Sequence, residues 1–378
     1  MAIRIGVNAL YLIPGGVGGT EIYLRHLLAA LAGIDAENEY VVFTNRETGA
    51  DLTPAQPNFR QAPQKLRASF RPARLLWEQT LLPIAAARLR LDVLFNPGFT
   101  APAVCPCPAV TVFHDLQHVR HPEYFRWFDL PFWRLFLWIS AHRSRLLVAV
   151  SPATCADLLR VYRLAEGKVR VVPSGVDERF FQVGRERRER LPMPYLLCAS
   201  TLHPHKNLGP LIRAFSQWRR GHPEFRLIIT GVRGFHTAAI EALIAELGLG
   251  ETVRLAGWVP REELYELFRD ACAFVYPSTF EGFGLPLLEA LAAGLPTACS
   301  AIEPLAWLAA DAALKFDPFD PQAILEALES VVGDAALRAR LSEAGPARAA
   351  EFSWRNTAQA TLEVLREAAS VKAMVHLP

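Results

Sequence analysis

Two glutamates, a lysine and a histidine carry the chemistry this sequence offers. Glu281 and Glu289 lie within residues 276–296, YPSTFEGFGLPLLEALAAGLP; Lys206 stands in STLHPHKNLGPLIRAF and His114 in TVFHDLQHVRHPEYF. Two nearby carboxylates could form the acid/base pair of a glycosidase, which needs roughly 5 to 9.5 Å between carboxyl groups. If the segment were helical throughout, their backbones would lie ~12 Å apart. A loop that folds back would shorten this, so the pair is disfavoured rather than excluded. Alternatively, each ionised carboxylate accepts hydrogen bonds from sugar hydroxyls. The plainest alternative makes Glu289 a solvated helix residue and Glu281 a loop charge. Spacing alone leaves all three open.

The elements that must hold these groups are legible. Residues 272–276 are a short apolar run that reads as a buried strand, and Pro277, Ser278, Gly282 and Gly284 then make a loop. Pro286 opens a helix, with Leu287, Leu288, Leu291 and Ala292 at helical spacing, until Gly294 and Pro296 stop it. The free amides at such a helix start, at the positive end of the dipole, favour an anion such as phosphate. Lys206 follows the strand 195–199 and precedes an apolar-periodic helix, from which an ammonium can meet phosphate. His114 ends the strand 110–113, at the edge where open α/β sheets bind ligands, and is read as functional. His118 and His121 receive no role, because no compact metal-ligand set is visible.

These residues carry a resemblance. EGFGLPLLEALAAGLP closely resembles the Glu-x7-Glu signature of retaining family 4 glycosyltransferases, which have the GT-B fold of two Rossmann-like domains. The glycines, the proline and both glutamates fall in register. The resemblance implies that Glu281 contacts the donor sugar hydroxyls and Glu289 the nucleotide ribose. It also implies that the amides of Gly282, Phe283, Gly284 and Leu285 lie against the donor. The string around Lys206 looks like the family's Lys-Asn-Leu motif, which assigns Lys206 to the diphosphate. The family often has Arg directly before this Lys or five residues before it. His205 and Thr201 stand there, so His205 or an arginine from elsewhere must supply a second cation. VFHDLQHVRHPEYF resembles the first domain of bacterial family 4 mannosyltransferases, which puts His114 beside the transferred sugar. In the family, the loop IPGGVGGTEIY, here Gly18 and Gly19, faces the donor diphosphate and the acceptor. The string at 257–260 is family-like and expected near the nucleotide base, with Trp258 read as packing. The stretch 299–318 departs from the family pattern, with Trp307 and Ala310 in the usual Glu and Gly places.

The rest of the chain sets limits. Its 378 residues suit two domains better than one core, and 51% hydrophobic with 21% charged residues marks a globular protein. The net charge of +2 makes no case for nucleic acid. The charge is unevenly shared: residues 1–170 hold 19 Lys/Arg and 13 Asp/Glu, a net of +6, and the remainder 21 and 25, a net of −4. The basic half could meet an anionic membrane or a polyanionic acceptor. Residues 58–91 mix seven Lys/Arg with Leu75, Leu76, Trp77, Leu81 and Leu82, and 124–147 crowd tryptophans and phenylalanines among arginines. Such composition suits an interfacial helix as well as a core-packed one. The six cysteines are scattered without a C-x-x-C pair. Position 21, which a dinucleotide fingerprint needs as Gly, is Glu21, which argues against a nicotinamide cofactor. The start lacks the features of a signal peptide, and no stretch reads as a transmembrane span.

The expectation is an α/β protein of two Rossmann-like domains (GT-B) facing a central cleft. Residues 1–175 form the acceptor domain, 176–192 a linker, 193–352 the nucleotide-sugar domain, and 353–378 a helix crossing back to the first domain. The implied activity is retaining, metal-independent transfer of a sugar, best matched by mannose from GDP-mannose, without a cofactor. The acceptor is a glycan or lipid-linked intermediate of bacterial surface polysaccharide. A nucleotide-sugar-binding partner subunit without turnover is the alternative. The protein is expected in the cytoplasm, with contact at the inner face of the membrane left open.

Overall fold

A computed structural model describes residues 2–16, 18–186 and 193–375. The chain divides into two compact units, Met1–Gly175 with Trp354–Pro378, and Val176–Ser353. Each is a parallel sheet flanked by helices.

The first unit carries strands β1 (Arg4–Asn8), β2 (Glu39–Thr44), β3 (Phe59–Pro63), β4 (Val93–Asn96), β5 (Ala109–Phe113), β6 (Leu146–Ala149) and β7 (Val169–Val171). They pair in the order β3-β2-β1-β4-β5-β6-β7. The inner strands are apolar on both faces because helices cover both sides. One face receives α1 (Gly19–Ile34). The other receives α2 (Arg71–Arg88), the short α3 (Gln117–Arg120), α4 (Leu130–Arg143) and α5 (Pro152–Tyr162), as right-handed crossovers require. Ser151 caps α5 by accepting a hydrogen bond from the Thr154 amide, and Pro152 opens the first turn. Strand β3 was not anticipated. It is short, lies at the edge of the sheet, ends in proline, and carries its charges among the basic residues of 58–91.

In the second unit lie α6 (Arg179–Arg185), β8 (Tyr195–Ala199), α7 (Leu208–Trp218), β9 (Arg226–Thr230), α8 (Thr237–Glu246), β10 (Val253–Gly257), α9 (Arg261–Asp270), β11 (Ala273–Tyr276), α10 (Leu285–Ala292), β12 (Thr297–Ser300), α11 (Leu305–Ala309), β13 (Leu314–Phe316), α12 (Pro321–Gly333) and α13 (Ala335–Ala349). The strands pair in the order β10-β9-β8-β11-β12-β13. Helices α7, α8 and α12 bury Leu211, Phe215, Ile240 and Leu328 against the sheet in one continuous core. The segment read as a linker begins inside this unit. Helix α6 buries Phe180 and Val183 and packs on α9 and α10, whereas 187–192 lie outside the described residues.

The last helix, α14 (Trp354–Val375), belongs to the first unit and packs along α1. Trp354 stacks on His26 with ring centroids 5.2 Å apart, and the Thr357 hydroxyl donates to the Pro173 carbonyl at 2.8 Å.

Candidate active site

Open parallel sheets bind ligands outside the carboxyl ends of their strands, where the strand order reverses. In the second unit that point lies between β8 and β11. The loop after β8 carries Lys206 and the loop after β11 carries Glu281. The fold brings them together: Lys206 Nζ lies 2.6 Å from Glu281 Oε1, with the two side chains only 13% and 11% exposed. The Tyr276 hydroxyl, at the end of β11, accepts from Lys206 at 3.4 Å and donates to Glu281. Burial pushes the Glu281 carboxyl up, but the Lys206 ammonium and the Tyr276 hydroxyl outweigh it and hold the group below the usual carboxylate range. A buried ion pair adds little net stability, because desolvation offsets the attraction. An ionised carboxylate and an ammonium, both little exposed at the switch point, therefore signal function more than cohesion.

The loop is set by its glycine. Gly284 caps α10 with φ 107°, and a Cβ there would lie 2.6 Å from Leu305 Cδ2. A glycine solves both the left-handed backbone and the close approach. Phe283 is buried and meets Trp307 and Phe352 edge-on at 6.3 and 6.1 Å. Trp307 thus packs on the loop, while Arg348 donates to the carbonyls of Trp307 and Leu308 at 2.9 and 3.0 Å.

Glu289 sits elsewhere in the same unit, inside a cluster that sequence reasoning missed. Arg261 donates to Glu289 and to Asp177, both at 3.1 Å, and its Nε donates to the Tyr265 hydroxyl at 3.0 Å. That hydroxyl in turn donates to Asp177. The guanidinium lies over the rings of Phe180 and Tyr265 at 5.0 and 5.2 Å. Burial raises the Glu289 carboxyl, against the pull of Arg261. Asp177 is lowered, because hydrogen bonds from Tyr265 and the Arg179 amide, with Arg261 close by, outweigh its burial. The one signal in the sequence was the spacing of Arg261 and Tyr265, one helical turn apart in the first turns of α9. Glu281 and Glu289 thus have separate cations.

The other positions in this unit fall as follows. Thr201 is half-buried in the loop after β8. His205 is buried, its ring 5.8 Å from that of His203 and edge-on to Phe280, and its carbonyl accepts from the Thr279 amide and hydroxyl. Arg261 has Glu289 and Asp177 as its carboxylate partners. Trp258 corrects its sequence reading. It follows β10 and is 64% exposed, so it is not a packing residue; the strand ends at Gly257 with φ 69°, which turns the chain outward.

In the first unit, Gly18 is the N-cap of α1 with φ 59°, a conformation that favours glycine, and Gly19 opens the helix. Glu21, the residue that broke the dinucleotide pattern, closes this loop by accepting from the Gly15 amide at 2.7 Å and pairing with Arg25 at 2.8 Å. His114 follows β5, and its Nε2 donates to the Pro97 carbonyl at 2.8 Å. Its ring meets Tyr23 of α1 at 4.9 Å and Phe99 at 5.2 Å. Burial pulls its pKa down to about 4, so the imidazole is neutral at physiological pH. His118 bonds the Tyr162 hydroxyl at 2.8 Å, a packing role. Among the described residues no group of His, Cys, Asp and Glu is placed to hold a metal ion.

The sequence matches two family models, "Glycosyltransferase Family 4" over residues 17–180 and "Glycosyl transferases group 1" over 184–348. It is 30% identical to the O-antigen chain mannosyltransferase B of Escherichia coli, across 68% of this chain and 70% of that protein. The chain belongs to the family 4 glycosyltransferases. This glycosyltransferase is also 28% identical to a D-inositol 3-phosphate glycosyltransferase of Acidothermus cellulolyticus, over 97% of this chain and 90% of that one. Among solved structures, a sucrose-phosphate synthase from Thermosynechococcus elongatus superposes with a TM-score of 0.80 at 21% identity, covering 98% of this chain and 100% of that one. HepE of Anabaena, solved with UDP and glucose, gives 0.73 at 18% identity, covering 96% and 99%. The fold of this glycosyltransferase is the GT-B pair of Rossmann-like units.

Proposed function

We propose that this glycosyltransferase moves mannose from GDP-mannose, with retention of anomeric configuration, to a glycan or lipid-linked acceptor in bacterial surface polysaccharide synthesis. The observation that carries the reading is the Lys206–Glu281 pair at the switch point of the second sheet. Donor binding offers Lys206 the diphosphate and frees Glu281 to accept from the sugar hydroxyls. Glu289 takes the ribose, and the amides of Gly282, Phe283, Gly284 and Leu285 meet the donor at the start of α10, where the dipole favours negative charge. From the first unit, Gly18, Gly19 and a neutral His114 contribute, His114 as a hydrogen-bonding group for the sugar. The bond from the anomeric carbon to phosphate breaks while the acceptor oxygen attaches on the same face. The acceptor proton leaves with the diphosphate, so no protein nucleophile is required. Lys206 and the helix amides stabilise the departing charge, which makes a metal ion unnecessary. The mannosyltransferase named above supports the sugar.

The test is transfer from GDP-mannose to lipid-linked and oligosaccharide acceptors, with and without a chelator, and the product anomer read by NMR. An α-mannoside formed equally well with chelator is expected. A β-product, or a requirement for metal, would overturn the mechanism. The second reading, a nucleotide-sugar-binding subunit, is favoured by His205 and Thr201 standing where the family often has arginine. Donor binding without transfer or hydrolysis would support it.

A further inference from the structure

The first unit carries a surface that the transfer reaction does not use. Helix α4 leaves Phe132, Leu135 and Trp138 exposed, and α2 does the same with Leu76, Leu81 and Ile84. Trp127, just before α4, is 84% exposed, and Phe132 and Leu76 are 61% and 65% exposed. The two helices lie on the same side of the sheet and are tied to each other. The Arg71 guanidinium at the start of α2 sits 5.8 Å over the Trp133 ring of α4. Further along, the Ala101 amide donates to Ser140 Oγ on α4, and Gln79 on α2 donates to the Ala101 carbonyl. The two helices thus carry their exposed apolar side chains on one side of the sheet, and Val104, 74% exposed, follows Ala103, whose amide donates to Gln79 of α2. Soluble monomers rarely leave so many large apolar groups together without a partner.

The charge around them names the partner. Arg71, Arg88, Arg126, Arg134 and Arg143 are exposed on or beside these helices. The one acid of α2, Glu78, is buried, where it accepts from Asn8 and Thr100, and α4 has none within it, so that Asp129 at its start and Glu123 before it are outnumbered by the arginines. A second copy of the chain docked on this face would bring arginines against arginines. An anionic bilayer complements both features, because aromatic and aliphatic side chains enter the acyl boundary while arginines meet phosphate. None of the described helices is long and apolar enough to cross a membrane, so the contact is peripheral.

We propose that α2 and α4 form a docking face for an anionic phospholipid bilayer, with Phe132, Trp138, Leu76 and Leu81 inserting and the arginines contacting headgroups. This goes beyond the transfer reaction, and its test reads lipid binding without turnover. The full chain is sedimented with vesicles of phosphatidylcholine alone and with vesicles containing phosphatidylglycerol, at low and high salt. Binding to the anionic vesicles, weakened by salt, is expected. Arg88→Gln should weaken it about fivefold, and the pair Phe132→Ser with Trp138→Ser at least about tenfold, with the melting temperature unchanged. Should that pair fail to fold, Leu76→Ser with Leu81→Ser tests the other helix. Equal binding to both vesicles, no binding, or variants that bind as the parent does would overturn the proposal. So would ultracentrifugation showing that the variants dissolve a dimer, since the face would then belong to a second copy.

Discussion

The two units share one architecture and differ sharply in the chemistry at the carboxyl ends of their strands. The second sheet ends in acid–base side-chain pairs, Lys206 with Glu281 and Arg261 with Glu289 and Asp177. At the matching edge of the first, the residues read as functional are neutral: His114 is bonded to the Pro97 carbonyl, and Asn8 is bonded to Asn96 at 3.1 Å. A fold that folds twice does not dictate what it binds; the residues after the strands do. Fixed charges suit a ligand that brings charge, such as a diphosphate. Neutral donors and acceptors suit hydroxyls.

Removing charge from the charged edge should have the largest effect. Glu281→Gln keeps the shape of the side chain and should lower transfer about 100-fold or more, measured as kcat/KM with GDP-mannose. Near-normal turnover would erase the proposed role of this pair. Lys206→Ala should do the same and also destabilise the protein. It leaves Glu281 buried without its cation, a loss of about 3 kcal/mol in denaturant unfolding. Lys206→Met combined with Glu281→Gln removes both charges and should recover most of that stability without recovering transfer. If the double variant is as unstable as Lys206→Ala, the pair holds the fold together, and the contrast between the edges weakens.

Next comes Arg261→Gln, which strips Glu289 and Asp177 of their cation. It should raise KM for the donor about tenfold with a smaller change in kcat, since a ribose contact binds ground and transition states alike. The smallest effect concerns the neutral edge and acid. Burial lowers His114 to about 4, and burial with the nearby Arg134 lowers His118 to about 4 as well. The unfolded chain therefore binds protons first. The stability from these two histidines is full above about 6.5 and is lost as pH falls towards 4. Melting temperature should drop across that window, less steeply in His114→Gln with His118→Gln. An unchanged slope would mean that the imidazoles are not buried neutral.

Much of this was legible in the sequence, for identifiable reasons. The strand, loop and helix of 273–292 could be read because an apolar run, punctuating glycines and a first-turn proline all agree locally. The same agreement placed Lys206 after β8 and His114 after β5. What escaped depended on distance in space. Asp177, Arg261 and Glu289 are far apart in sequence, and no local pattern announces that they meet. The side of α2 and α4 that faces outward was also hidden, because their periodicity does not distinguish a core stripe from an exposed one. Trp258 failed for a related reason: a tryptophan beside a strand looks like core until the turn at Gly257 directs it to solvent.

The most direct test is thermal shift of the purified protein and of the Lys206→Met/Glu281→Gln variant. Each would meet GDP, UDP and ADP, alone and as mannose, glucose and N-acetylglucosamine conjugates. A ligand at 100 times its Kd adds about 2.7 kcal/mol of stability, which a melting shift detects. The expected result is selective stabilisation of the parent by GDP-mannose, reduced in the variant. Equal stabilisation of parent and variant would place the donor away from Lys206 and Glu281 and contradict the assignment of the site.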